Sequence, residues 1–162
     1  PVSNIKTSDT SVVVEKDSLY YDTLSLSLKK IPTVQNMYTV GKKAIGKWAK
    51  LFIAVKIVES GNDGDNSIYA RRDFNLTGMR QPRARKTMSL GATKNKYARY
   101  ASWYDCMVDF GMYLNGMERG FKKKYQKSPS NNEMVLYMFG KYNTHPVWKN
   151  RTLYVLKNFN LK

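Results

Sequence analysis

One cysteine, one histidine and only twelve acidic residues among 162 set the first limits on this chain. A lone Cys106 cannot form an internal disulfide, and a single thiol with a single imidazole offers no zinc-ligand spacing. A Cys–His nucleophile would need Cys106 and His145, and nothing in the sequence brings the two together. Cys106 stands among Trp103, Met107 and Phe110, so it is expected to pack as a small hydrophobe on a buried helix face. No apolar run is long enough to span a bilayer. The opening segment PVSNIKTSDT has neither the basic nor the apolar region of a signal peptide, so none is expected there. The chain starts at Pro1 instead of Met, which is compatible with a leader already removed.

What is present is an ordinary globular balance, 42% hydrophobic and 25% charged, at a length suited to one domain with a real core. The charge is lopsided, at +16. Residues 1–36 balance four basic against four acidic residues, whereas 71–99 carry nine Lys/Arg against Asp73 alone. Residues 118–162 carry ten against Glu118 and Glu133. Such a surface favours an anionic polymer: nucleic acid, anionic lipid or bacterial wall polymer. Charge selects the sign of the partner and not its identity. Arg83, Arg85 and Lys86 are the expected docking cations.

Local signals give helices, a small hairpin, then helices: an α+β, mostly α fold. Asp17 or Ser18 would cap a helix that Pro32 stops near Lys30. Trp48, Leu51, Phe52, Val55 and Val58 recur at helical spacing, and Ser60-Gly61 ends that helix at once. Residues 61–85 read as loop, and 86–90, 91–95 and 96–102 as strand, turn and strand. Ser102-x-x-Asp105 and Ser130-x-x-Glu133 are capping boxes opening two further helices. Trp103, Met107, Phe110 and Leu114 form the buried stripe of the first. Thr144 would cap the last helix, with Pro146 in its first turn.

Glu59 therefore ends an apolar helix. Desolvation there raises a carboxyl pKa, and so does the negative end of the helix dipole. A general acid for glycoside cleavage needs that raised pKa to hold its proton near neutrality. The competing reading is a plain exposed Glu on a frayed turn.

Three segments, AVKIVESG (54–61), NLTGMR (75–80) and YARYASWYDCMVDFGMYL (97–114), followed by KYNTHPVWKNRTLYVL (141–156), tip this balance. In order and spacing, over about residues 35–159, they resemble the glucosaminidase domain of flagellar peptidoglycan hydrolases, wall autolysins and phage lysins. The resemblance implies a lysozyme-like fold, with a helical lobe and a β-hairpin lobe flanking a cleft, over residues 35–162. Residues 1–34 would be an extension packed on it. It implies Glu59 as catalytic acid and Tyr142 as a second catalytic residue lining the site. Ser60, Asn75, Gly78, Arg80, Tyr100 and Trp103 are the implied substrate-binding positions, with Trp103 also fitting a core stripe. The implied activity is hydrolysis of β-1,4 bonds in peptidoglycan glycan strands, of endo-β-N-acetylglucosaminidase type. No cofactor or metal, no nucleic-acid partner and a monomer acting on the bacterial wall are expected.

This chain departs from the family pattern in places. Many members carry a second carboxylate in the hairpin, yet residues 74–104 contain no Asp or Glu. Asp63, Asp65, Asp73, Asp105 and Asp109 are the nearby alternatives. His145 replaces a usual Asp, and Thr77 a usual aromatic, which is expected to alter a sugar subsite. A muramidase or lytic transglycosylase is the near alternative, since one Glu serves the latter. A wall-binding protein without catalysis, and a basic nucleic-acid-binding protein using its twelve Tyr and 28 Lys/Arg, are the other readings.

Overall fold

Helix α2 (Ala49–Ser60) is the axis of the molecule. Leu51 through Lys56 are buried on every side, as expected of a helix that is apolar all round. The computed structural model describes residues 30–63 and 67–162. The expected helix at 17–30, nearly all of the expected extension and Asp65 lie outside the described residues. Around α2 pack α1 (Val34–Ala44), α4 (Trp103–Tyr125) and α6 (Pro146–Asn158). Helix α5 (Asn131–Met138) bridges α4 and α6. Phe52 and Phe110 meet edge to face at 5.8 Å where α2 crosses α4. Among the described residues, no helix is long and apolar enough to cross a membrane.

Two helices occur where none was expected. Thr33 caps α1 by accepting from Asn36 N–H at 3.2 Å, and the carboxylate of Asp63 accepts from Val34 N–H at 2.8 Å. The buried face of α1 is Val34, Met37 and Gly41, too sparse a stripe to stand out as apolar periodicity. Within the expected 61–85 loop, α3 (Ile68–Asp73) makes a short helix that buries only Ala70 and Asp73. It stops at Phe74, in the left-handed region at φ 51°.

The hairpin exists, but its register is shifted. Strand β1 is Gly91–Ala92, inside the expected turn, and pairs antiparallel with β2 (Ala98–Arg99). The reversal is made by Thr93–Lys96, where Thr93 N–H donates to Tyr97 O at 2.7 Å. Residues 86–90, expected as a strand, form no regular element, and among them Leu90 N–H bonds to Arg99 O across the ladder at 2.8 Å. What holds them instead is the carboxylate of Asp109 on α4, fully buried, which accepts from Met88 N–H at 2.9 Å.

The same carboxylate takes a bidentate pair from Arg85, at 2.9 and 2.8 Å, and the Tyr100 hydroxyl at 2.8 Å. Burial opposes its charge, but the bonds from Arg85, Thr87, Met88 and Tyr100 outweigh burial, and its pKa falls below the usual carboxylate range. Arg85 therefore clamps the basic segment to α4 while its side chain stays partly exposed.

The caps follow the sequence closely. Ser102 accepts from Asp105 N–H at 3.1 Å. Ser130 and Glu133 form both halves of a capping box. The last helix is capped by His145 and not Thr144: its Nδ1 accepts from Val147 N–H at 3.3 Å, with Pro146 next. Cys106 is buried, accepts from Leu76 N–H at 3.4 Å, and burial pushes its thiol up to about 12.

Asp109→Asn should cost roughly 3–5 kcal/mol, because it leaves a clamped arginine without its counter-charge. Because the folded pKa of Asp109 is depressed, the wild-type advantage is full above the usual carboxylate range. It disappears as pH falls through the lower folded value. Denaturant titrations of both proteins at neutral and acid pH check this; a pH-independent difference would contradict the ion-pair account.

Candidate active site

The C-terminal turn of α2 places Glu59 beside a loop that its own helix helps to hold. Gly61 ends the helix at φ 91°, its N–H reaching Ile57 O at 3.0 Å. Ser60 Oγ lies 2.9 Å from Leu76 O and 3.0 Å from Lys56 O, tying the helix end to the 75–79 loop. The Lys56 ammonium, fully buried, donates to Gly61 O at 2.9 Å and Asn62 O at 2.5 Å. These bonds satisfy carbonyls just past the helix end, where the dipole is negative.

The loop closes on itself through Asn75. Its Nδ2 donates to Met79 O and to Ala98 O, both at 2.9 Å, and its Oδ1 accepts from Met79 N–H at 3.0 Å. That fixes Gly78 at φ 68°, where a Cβ would fall 3.1 Å from Glu59 Oε2. Glycine is required here twice: by the left-handed backbone and by contact with the carboxyl.

Desolvation raises the pKa of Glu59, and the side chains of Asn143 and Trp148 pull the other way without cancelling it. The Trp148 indole N–H is buried without a hydrogen bond of ordinary geometry, although it lies close enough to favour the Glu59 charge.

Tyr142 completes the wall. Its hydroxyl donates to the Thr77 carbonyl, and its ring packs on Phe110, Tyr113 and Trp148 with centroids at 6.0, 5.5 and 5.5 Å. Burial first, and then the nearby Glu59 charge, push the phenol well above its ordinary pKa, so it stays protonated. With its proton committed to Thr77, the phenolic oxygen keeps lone pairs to accept from a substrate N–H.

A groove of about 390 Å³ opens here, lined by Gly78, Arg80, Arg83, Arg85, Tyr113 and Tyr142 among others. Glu59 is not part of its wall. The groove instead reaches Gly78 and Tyr142, the positions packed on or coupled to the acid.

The sequence-expected site residues thus divide into two sets. Glu59, Gly78, Arg80 and Tyr142 stand at the groove or against it. Ser60, Asn75, Tyr100 and Trp103 are buried, beneath the groove surface and not in its wall. Thr77 is also fully buried, 3.9 Å from Cys106 Sγ, so its side chain faces no sugar subsite. Asn143, Trp148 and Tyr113 were not singled out in the sequence, although Asn143 and Trp148 lie in the same KYNTHPVWK stretch as Tyr142.

The described nearby carboxylates are engaged elsewhere. Asp63 caps α1, Asp73 pairs with Arg72 at 2.7 Å, and Asp109 holds Arg85. Asp105 is raised by burial and partly lowered again by Ser102. Among the described residues, no three His, Cys, Asp or Glu side chains gather as a metal site.

Comparison with known proteins places the family and the fold. The family model Glucosaminidase, described as mannosyl-glycoprotein endo-beta-N-acetylglucosaminidase, matches residues 35–161. No curated protein matches the chain by sequence. The structure is similar to the catalytic domain of the autolysin Auto from Listeria monocytogenes, with a TM-score of 0.51 and 15% identity, covering 99% of this chain and 97% of that one. A glycoside hydrolase domain from Salmonella typhimurium FlgJ aligns with a TM-score of 0.47 and 14% identity, over 77% of this chain and 82% of that one. With the family pattern running through residues 35–161, nearly all of the described fold, this chain belongs to the glucosaminidase family of glycoside hydrolases.

Proposed function

We infer that the protein cleaves the β-1,4 bond between N-acetylglucosamine and N-acetylmuramic acid in peptidoglycan, acting on the bacterial wall outside the cytoplasm, with Glu59 protonating the leaving oxygen. The observation that carries this is the position of Glu59 in the last turn of the central helix, packed against Gly78 of a cation-lined groove, where desolvation raises its pKa. A carboxyl that keeps its proton can donate it as the glycosidic bond breaks, and the oxocarbenium-like sugar then needs a nucleophile.

No described carboxylate is free for that second role, which favours a single-acid route. The 2-acetamido oxygen of the substrate attacks the anomeric carbon as internal nucleophile. Tyr142 accepts the acetamido N–H and so aims that oxygen. As charge develops on Glu59, the nearby Trp148 N–H and the Asn143 amide stabilise the carboxylate left behind. Water then opens the cyclic intermediate, with Glu59 as base. The net positive surface draws the anionic wall to the groove.

Glu59→Gln should lower turnover by roughly 10²–10⁴-fold, the usual contribution of a positioned acid. Its stability has a definite sign. A carboxyl whose folded pKa is raised loses stability as pH rises through the window between its unfolded and folded values. The Gln variant should therefore melt at or above the wild-type temperature at neutral pH and show no such advantage at acid pH. Near-wild-type wall lysis by the folded variant removes Glu59 from the mechanism.

Gly78→Ala should slow turnover on the order of 10- to 100-fold by displacing the acid. It should also cost about 1–2 kcal/mol for the left-handed backbone. A variant that loses stability but keeps full turnover would show that the contact with Glu59 is incidental.

Asp63→Asn, Asp65→Asn, Asp73→Asn and Asp105→Asn, made singly, should each remain active, with any loss following stability. Mass analysis of the wall fragments should find reducing-end N-acetylglucosamine; reducing-end N-acetylmuramic acid or its anhydro form would assign the other bond or a transglycosylase. One Asp variant that is folded and inert would identify a second catalytic carboxylate.

A further inference from the structure

The groove lined by Gly78 and Tyr142 is not the end of the cation-lined surface. A second groove of about 410 Å³ lies between the C-terminal end of α4 and α5, and the two share Lys141 in their walls. Its floor is aromatic. Phe121 and Tyr125 stand 4.5 Å apart, and Tyr137 meets them edge to face at 5.3 and 6.3 Å. Its rim is cationic: Lys124 lies 5.1 Å over Tyr125, and Lys141 lies 3.9 Å over Tyr137. Glu133, which also lines it, is paired with Lys127.

Burying apolar surface is the normal fate of such rings, yet here Tyr125 is 46% exposed and Leu136 55%. Tyr137 is held from beneath, since a Cβ on Gly120 would fall 2.9 Å from its hydroxyl. These plates are built rigidly and left open. A tyrosine face suits the C–H face of a sugar ring, and the lysines beside it suit carboxylates hung along the chain.

We propose that the α4–α5 groove is a distal subsite for the same anionic amino-sugar strand whose scissile bond lies at Glu59, with Lys141 marking its path between the two. This rests on the glycan-cleaving reading above. The shared Lys141 and matching charge favour one continuous strand as the occupant. The consequence is a preference for long strands: a short oligosaccharide fills only the catalytic groove, whereas a long one gains the tyrosine plates.

The test compares long solubilised glycan strands with a tetrasaccharide cut from them. Lys124→Gln and the double variant Lys124→Gln/Tyr125→Ala lie outside the catalytic groove and leave α5 intact. Both should raise KM on long strands, the double variant by about tenfold, a loss of ~1.4 kcal/mol. Hydrolysis of the tetrasaccharide should be unchanged, and the advantage of long strands should shrink. In a Glu59→Gln background, which binds without turnover, direct titration with long strands should show the same loss and a weaker salt dependence.

Equal losses on both lengths, or none on either, would overturn the distal subsite while leaving the cleavage reading in place. Failure of the wild type to cleave either substrate would remove the cleavage reading and the subsite with it. Tighter binding of a single-stranded oligonucleotide, lost in the double variant, would assign the groove to a different polymer and overturn the proposal. Lys124→Gln alone perturbs no packed ring, so a folding defect in the double variant cannot shield the idea.

Discussion

The site depends on keeping one carboxyl short of water. Helix α2 is buried through Leu51–Lys56, and its partly buried last turn delivers Glu59 into an environment that disfavours charge. Gly78 presses on Oε2 from the loop opposite, and Trp148 and Asn143 approach from the end of the chain. Had α2 been an amphipathic surface helix, the same Glu would be a solvated carboxylate with no proton to give at neutral pH.

Everything near that carboxyl is arranged to hold the loop still. Asn75 ties the loop to Ala98 of the hairpin, Ser60 ties it to α2, and Tyr142 binds its Thr77 carbonyl. One step further out, Asp109 fastens Arg85, Met88 and Tyr100 to α4. The hairpin has only two short strands, so these side-chain bonds supply the rigidity that a larger sheet would provide. The polar residues of the family pattern in this region, Ser60 and Asn75, are buried and tie the loop beside Glu59 to its neighbours.

The parts of this arrangement legible in the sequence were the local ones. The apolar run ending at Ser60-Gly61, the Ser102 and Ser130 caps and the stripe Trp103, Met107, Phe110 each depend on residues within a turn or two. Helix α1 was not visible because one of its three buried contacts is a glycine, Gly41, which carries no hydrophobic signal. Helix α3 is too short to show a period, and the hairpin register depends on Asp109 gripping Met88 from another element. Arg85 read as a surface cation for the same reason: its partner is twenty-four residues away. Glu59 and Tyr142 stood out through the resemblance, while Trp148 and Asn143 acquire meaning only once α6 and the segment before it fold back beside α2.

The most direct test of the central claim is the titration of Glu59 itself, followed by carboxyl carbon NMR and set beside the pH dependence of kcat/KM. The account predicts that Glu59 titrates above the usual carboxylate range and that the alkaline limb of the rate profile falls at the same pH. A Glu59 that titrates as an ordinary exposed carboxylate, or a rate profile whose alkaline limb lies elsewhere, would contradict it.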